Sequence, residues 1–159
     1  MSRFSRLTTA AAALALALPA VALAGEAGHG RYKAGEIEWR DGPASVDPGA
    51  QFAVLQGDPS QEGLFTMRLK LPPGFTIKPH HHPAVENVTV ISGAFNMASG
   101  KAPTKADGMQ MLPGDYTYYN PGNAHMAWTT DQETVIQLHG IGPWQIIYVN
   151  PADDPRGTN

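Results

Sequence analysis

The sequence predicts an all-β domain, a sandwich or barrel of many short strands, after its first 24 residues. Four Pro-Gly dipeptides, which have the chemistry of type II turns, divide the chain: Pro48-Gly49, Pro73-Gly74, Pro113-Gly114 and Pro121-Gly122. Short runs rich in β-branched and aromatic residues lie between them. No stretch after residue 24 combines a helical period with caps. Short strands separated by regular turn signals are typical of a sandwich or barrel.

Nine segments carry the strand pattern. They are Phe52–Gln56, Leu64–Leu71, Asn87–Ile91, Ala94–Met97, Met109–Leu112, Tyr116–Tyr119, His125–Thr130, Thr134–His139 and Gln145–Val149. The long polar stretch at residues 98–108 predicts a loop between the fourth and fifth of them.

Residues 1–24 predict a cleavable signal peptide. A short basic start with Arg3 and Arg6 precedes an alanine- and leucine-rich run, and Ala22-Leu23-Ala24 supplies a small-x-small cleavage site. The apolar run of about 17 residues is at or below the minimum for a membrane span, so we expect export over anchoring. The mature protein is therefore expected to be periplasmic or secreted, with no membrane attachment after cleavage.

The remaining chain is long enough for one domain with its own core. We expect a flexible lead at residues 25–45, the domain at 46–150 and a tail at 151–159. Loss of Arg3 and Arg6 with the signal takes the net charge from −3 to −5. An acidic chain without a basic run does not favour nucleic acid as a partner. The absence of cysteine means that no disulfide stabilises the exported chain.

The strongest chemical signal is a cluster of metal-binding residue types. His80, His81 and His82 are consecutive, Glu86 follows four residues later, and His125 comes after a Pro-Gly turn. Three imidazoles and one carboxylate suit a divalent transition metal and not calcium or magnesium. Because alternate side chains of a strand share a face, His80 and His82 are predicted to point at one ion and His81 away from it.

Several nearby polar residues stay ambiguous from the sequence alone. His81 is either outward and solvated or a spare ligand. Gln137 and His139 either face water or line a polar interior around the metal, and the same ambiguity applies to Arg68.

The residues around the histidines resemble the first cupin motif, G-x5-H-x-H-x3-E-x6-G. Gly74, His80, His82, Glu86 and Gly93 stand at every required spacing. The second motif, G-x5-P-x-G-x2-H-x3-N, is matched with two departures. Its matching positions are Gly114, Gly122 and His125, while Asn120 replaces its first proline and Thr129 its last asparagine. The resemblance covers residues 50–150.

The chain is thus identified as resembling a small exported single-domain cupin. The resemblance implies a jelly-roll barrel and metal ligands at His80, His82, Glu86 and His125. It implies one divalent transition metal, with iron or manganese favoured and nickel, zinc or copper possible. It also implies a homodimer.

The function predicted is a metal-dependent enzyme of the dioxygenase or oxidoreductase type, or an isomerase, acting on a small molecule with Glu86 as a catalytic proton acceptor. The alternatives are a non-catalytic protein that binds a small sugar or organic acid through the metal, and a metal-holding protein with a saturated site.

The aromatic residues either pack in the core or form a wall that contacts an organic substrate. We expect core for most of them: Phe95, Tyr116, Tyr118, Tyr119 and Trp128. Trp128 and Met126 flank His125 and are the candidates for the edge of a pocket.

Overall fold

The computed structural model describes residues 29–157. Two antiparallel sheets face each other, which confirms the predicted all-β jelly-roll class. The described residues form eleven strands in order: β1 (Arg40–Asp41), β2 (Gln51–Gln56), β3 (Gly63–Leu71), β4 (Thr76–His81), β5 (Glu86–Ser92), β6 (Phe95–Ser99), β7 (Met109–Met111), β8 (Tyr116–Tyr119), β9 (His125–Thr129), β10 (Thr134–Gly142) and β11 (Ile147–Tyr148).

One sheet has six strands in the order β1-β2-β3-β10-β5-β8, and the other has five in the order β11-β4-β9-β6-β7. Many strands consecutive in sequence, such as β3 and β4 or β9 and β10, therefore lie in opposite sheets. This alternation places residues that are distant in sequence on neighbouring strands, which matters for the site described below.

The core lies between the sheets, where alternate residues of each strand turn inward. On β3 the inward positions are Phe65, Met67, Leu69 and Leu71, and each is at most 6% exposed. The same cluster includes Val88 and Val90 of β5, Phe95 and Met97 of β6, and Ile136 and Leu138 of β10. Buried positions alternate with more exposed ones along β3 and β10, as expected of strands that turn one face to the core.

All nine predicted segments form or contain a strand, with ends that differ by a few residues. β1 was not predicted, and β4 was expected only around His80 and His82, from the alternation of those two side chains. The sequence of β4, Thr-Ile-Lys-Pro-His-His, is polar and contains Pro79, so its composition does not mark a strand. The pairing of β4 with β9 shifts register between Ile77 and His80, because Pro79 in this interval has no N–H for the ladder.

Three short 3₁₀ helices, at Ala34–Glu36, Lys105–Asp107 and Pro151–Asp153, lie outside the sheets. The first of them and β1 lie within residues 25–45, and the second lies in the predicted polar loop. The predicted signal peptide at residues 1–24 lies outside the described residues. Among residues 29–157, no helix has the length and apolar character needed to cross a membrane.

Candidate metal centre

The histidines and Glu86 come from both sheets. His80 is in β4, His82 directly follows it, and His125 begins β9, where it pairs with His80. Glu86 begins β5 of the opposite sheet, across the short connection that contains Pro83. β4 and β5 follow each other in sequence but belong to different sheets, so the residues of the first motif approach one another across the barrel interior.

Backbone carbonyls hold all three imidazoles in the same tautomer. The Nδ1 of His80 donates to the carbonyl of Lys78 at 2.7 Å, that of His82 to Gln145 at 2.8 Å and that of His125 to Asn123 at 3.1 Å. A carbonyl oxygen only accepts hydrogen bonds, so each Nδ1 carries the proton and each neutral ring keeps its lone pair on Nε2. These are the outer contacts that orient metal-ligating histidines.

On the side away from these carbonyls, the three imidazole rings converge on a common point. One ring nitrogen from each of His80, His82 and His125 lies within 4.8 Å of the others, which is a spacing that could hold a metal ion. The Oε1 of Glu86 is 3.4 Å from the Nε2 of His82, and its Oε2 is 3.1 Å from the Nε2 of His125. All four residues are at most 6% exposed.

These facing atoms are not satisfied by one another. The Nε2 atoms of His82 and His125 and the Oε2 of Glu86 are buried without a hydrogen-bond partner of acceptable geometry. With Nδ1 protonated, neutral rings direct nitrogen lone pairs at a carboxylate, and this arrangement is repulsive unless a cation lies between them. A divalent metal would satisfy all of these atoms at once, so the residues present fit the metal that the cupin motifs imply.

Electrostatics keep this cluster ready for a cation. Burial is the largest cause that lowers the pKa of His80, to about 3. Repulsion between a protonated His80 and protons on His125 or His82 lowers it further, although Glu86 opposes the shift. Burial alone would raise the pKa of Glu86, but a proton on His82 or His125 would attract the adjacent carboxylate, and this effect outweighs burial and lowers the pKa. A neutral imidazole and an ionised carboxylate are the forms that bind metals.

Two aromatic rings flank the histidines. The indole of Trp144 stacks on His82, with ring centroids 4.3 Å apart and an angle of 15° between the planes. The phenol ring of Tyr119 stacks on His125 at 4.0 Å and 26°. Sequence reasoning did not single out Trp144. The one signal available was an aromatic residue directly after Gly142-Pro143, a turn that the motif does not include.

A cavity of about 20 Å³ adjoins the four residues. Its other walls are the apolar interior of the barrel, with Leu69, Val88, Phe95 and Ile136 among the lining residues. This volume holds about one water molecule. Gln137, His139 and Arg68 do not line it.

These three ambiguous polar residues lie on the outer face of the six-stranded sheet. Gln137 is paired with Arg68 across β3 and β10, and the Nε of Arg68 donates to its Oε1 at 3.1 Å. His139 lies two residues further along the same face. His81 is also absent from the cavity lining, because it alternates with His80 and His82.

The aromatic candidates separate into three environments. Phe95 is core and lines the cavity, and Tyr119 stacks on His125. Tyr116 and Tyr118 are exposed on the outer face of β8, where the hydroxyl of Tyr116 donates to Asn87. Trp128 and Met126 form a separate small buried cluster with Ala98 and do not line the cavity, so they are not its edge.

Fold and site together define a cupin with a histidine-rich potential metal site. The family model that matches residues 28–145 is described as the ChrR cupin-like domain, and the chain belongs to this family. A comparison with curated proteins found no match.

Solved structures show the same fold. The polyketide cyclase RemF from Streptomyces resistomycificus matches with a TM-score of 0.63 at 16% identity, over 79% of this chain and 89% of its own. A sugar phosphate isomerase of the cupin superfamily from Silicibacter pomeroyi matches at 0.58 and 22%, over 74% and 80%. KdgF from Halomonas sp. matches at 0.54 and 23%, over 70% and 92%. At these identities the likeness concerns the fold alone.

The stability of the metal-free protein is expected to fall on acidification. Below pH 6.5 the unfolded chain protonates His80, whereas the folded protein does so only near pH 3. The unfolded state therefore binds more protons in this interval, and lowering the pH stabilises it relative to the folded state. Glu86, whose folded pKa is lowered, adds a loss below about pH 4.5. Urea unfolding between pH 7.5 and 4 should show a slope of about 1 kcal/mol per pH unit. The variant His80→Gln should flatten the slope above pH 4.5, and stability that is constant in wild type would contradict the prediction.

Proposed function

We propose that this protein is an exported metal-dependent enzyme of the oxidoreductase type that acts on a small organic molecule. One divalent transition metal, iron or manganese by preference, is held by His80, His82, Glu86 and His125. The observation that carries the proposal is the set of buried, unpartnered Nε2 and carboxylate atoms, oriented by three Nδ1 contacts to backbone carbonyls. Nickel, zinc or copper are the alternatives that the same ligand types permit.

Such a metal, when bound, supplies Lewis acidity and, as iron or manganese, redox chemistry. The chain's own residues supply the rest. Glu86 is the proton acceptor in the proposal, because among the described residues it is the one carboxylate that lines the small cavity. The apolar barrel wall excludes water from the reacting centre, and the stacked rings of Trp144 and Tyr119 hold His82 and His125 in place.

The compartment and the assembly are part of the proposal. Export is supported by the signal-like residues 1–24, and the mass of the protein recovered from the periplasm should correspond to a chain that begins at Gly25. A homodimer is supported by exposed apolar residues, notably the cross-strand pair Leu64 and Ile141, which are 52% and 60% exposed. Sedimentation velocity that finds only monomer would remove the dimer from the proposal.

The test of the enzyme proposal begins with metal content. Untagged mature protein, purified from its natural compartment, should contain one equivalent of iron or manganese by mass spectrometry. Oxygen uptake is then measured with phenolic, thiol and keto-acid substrates. The variant Glu86→Gln, reloaded with metal to full occupancy, should lose turnover by about 100-fold or more, as expected for a general base.

A matched control is His81→Gln, which changes an imidazole beside the site that does not line the cavity. It should retain both metal and turnover. Full turnover in metal-loaded Glu86→Gln would show that Glu86 is not the proton acceptor, and a protein that binds no metal after loading would overturn the proposal as a whole.

A second candidate function is metal-dependent binding of a small sugar or organic acid without turnover. The composition of the cavity favours it, because no acid or base other than the four cluster residues lines it among the described residues. Stoichiometric, metal-dependent binding by calorimetry, with no product formed over many hours, would select this function over the enzyme.

A further inference from the structure

We propose that a second, apolar cavity beside the metal centre is a binding site for a small neutral aromatic molecule of the phenol type. The inference deepens the proposed function and rests on it for the role of the ligand as substrate. The cavity has a volume of about 180 Å³ and lies between β2, β3, the segment before β2 and the segment before β11.

The apolar cavity shares a wall with the metal centre. Leu69, Trp144 and Ile146 line both the apolar cavity and the small cavity at the histidines. The indole of Trp144 is also in stacking contact with His82. A molecule in the apolar cavity therefore lies one side-chain layer away from the metal ligands.

The same short segment forms this wall and orients His82. The carbonyl of Gln145 accepts the hydrogen bond from the Nδ1 of His82, and the backbone N–H of Trp144 is bonded to the carbonyl of Pro59 at 2.7 Å. Trp144 also borders a surface cleft of about 660 Å³ beside Pro83 and Ile141. Movement of this one indole would connect the cleft, the apolar cavity and the metal centre, so Trp144 is positioned as a gate.

The size of the cavity indicates a single ring. An apolar protein cavity of about 150 Å³ accommodates benzene. A volume of 180 Å³ therefore suits a benzene ring with one small substituent, and it is small for two fused rings.

The walls indicate a neutral ligand with one hydrogen-bond acceptor. Val46, Phe52, Met67, Leu69 and Ile146 make most of the lining apolar. The one cation in the lining, Arg156, already binds both carboxylate oxygens of Asp154, so its charge is balanced.

Hydrogen-bond donors are also present in the lining. It includes Ser45, Ser60 and Gln145, whose hydroxyl and amide groups can donate hydrogen bonds. A phenolic oxygen would accept from one of these groups while the ring fills the apolar space.

Phenol itself is the probe for the test. Titration of phenol into the zinc-loaded, diamagnetic protein should shift the methyl resonances of Met67, Leu69 and Ile146, give intermolecular NOEs to them and saturate with a Kd of about 1 mM or tighter. The variant Met67→Phe, which fills the cavity, should weaken phenol binding at least tenfold. The variant Met67→Ala should shift the preference from phenol toward 1-naphthol.

Met109→Phe is the matched control, because it makes the same Met-to-Phe change at an exposed position outside the apolar cavity. It should leave the phenol Kd within twofold of wild type. Absence of saturable shifts at 10 mM phenol, or NOEs only to methyls elsewhere, would overturn the inference even if Met67→Phe does not fold.

The two proposals fail separately. Phenol binding with the predicted NOEs in a protein that takes up no metal would support the cavity and overturn the metal-dependent enzyme. A protein that takes up metal but does not bind phenol would overturn the inference about the apolar cavity and leave the proposed metal-dependent enzyme standing.

Discussion

Replacing His80 or His125 with alanine is expected to remove the bound metal. Each substitution deletes one of the converging nitrogens and leaves the buried carboxylate of Glu86 with less compensation. Loss of a residue that only orients a ligand typically costs 10–100-fold in metal affinity, so we expect loss of a ligand to cost more than about 100-fold. Metal content by mass spectrometry and competition with a chelator measure this directly.

The same variants are expected to lose the stabilisation that comes from the metal. At free metal about 100-fold above Kd, a ligand that binds only the folded state stabilises it by about 3 kcal/mol. The melting temperature of wild type should therefore rise on adding metal, and that of the variants should not. His81→Ala is the control, since it removes an adjacent imidazole on the opposite side of the strand and should keep the metal and the thermal shift. Unchanged metal content in both His80→Ala and His125→Ala would show that the ligand assignment is wrong.

Gly93→Ala is expected to be among the most destabilising single-methyl changes in the domain. Gly93 joins β5 to β6 with φ +80°, and a Cβ there would lie 2.8 Å from the Cα of Thr134 and still closer to the Glu133 carbonyl and the Thr134 hydroxyl. The left-handed backbone alone costs about 1–2 kcal/mol for a residue with a Cβ. The contact with backbone atoms adds to this cost, because backbone yields less easily than a flexible side chain. Chemical denaturation should give a total loss above 2 kcal/mol.

The motif contains its own control for this prediction. Gly74 has φ +72°, but no atom lies within 4 Å of a Cβ placed on it. Gly74→Ala should therefore cost only the conformational part, about 1–2 kcal/mol. Equal losses for the two variants would mean that the close approach of Thr134 to Gly93 is not what requires glycine there.

The residues that could form the metal site were identifiable because spacing along one strand determines which of them share a face. His80, His82, Glu86 and His125 are recognisable from their types and intervals, and the structure brings them together. The full extent of the strand that carries His80 could not be predicted, because its proline and polar residues lack the composition that marks the other strands.

Other features required the tertiary structure. Trp144 reaches His82 across 62 positions of sequence, and the carbonyl of Gln145 sets the tautomer of the same ring. No local pattern contains such contacts, because they depend on how β4 pairs with β11.

The sequence alone could not show which face of the sheet carries Gln137, His139 and Arg68, for a related reason. Alternation along a strand shows which residues share a face, but the packing of a second sheet determines which face is inside. Here Ile136 and Leu138 turn toward the barrel, and the polar residues turn outward. Local chemistry along the chain thus identified the fold class and the candidate ligands, while the pairing of distant strands determined the shape of the cavity and the contacts around the ligands.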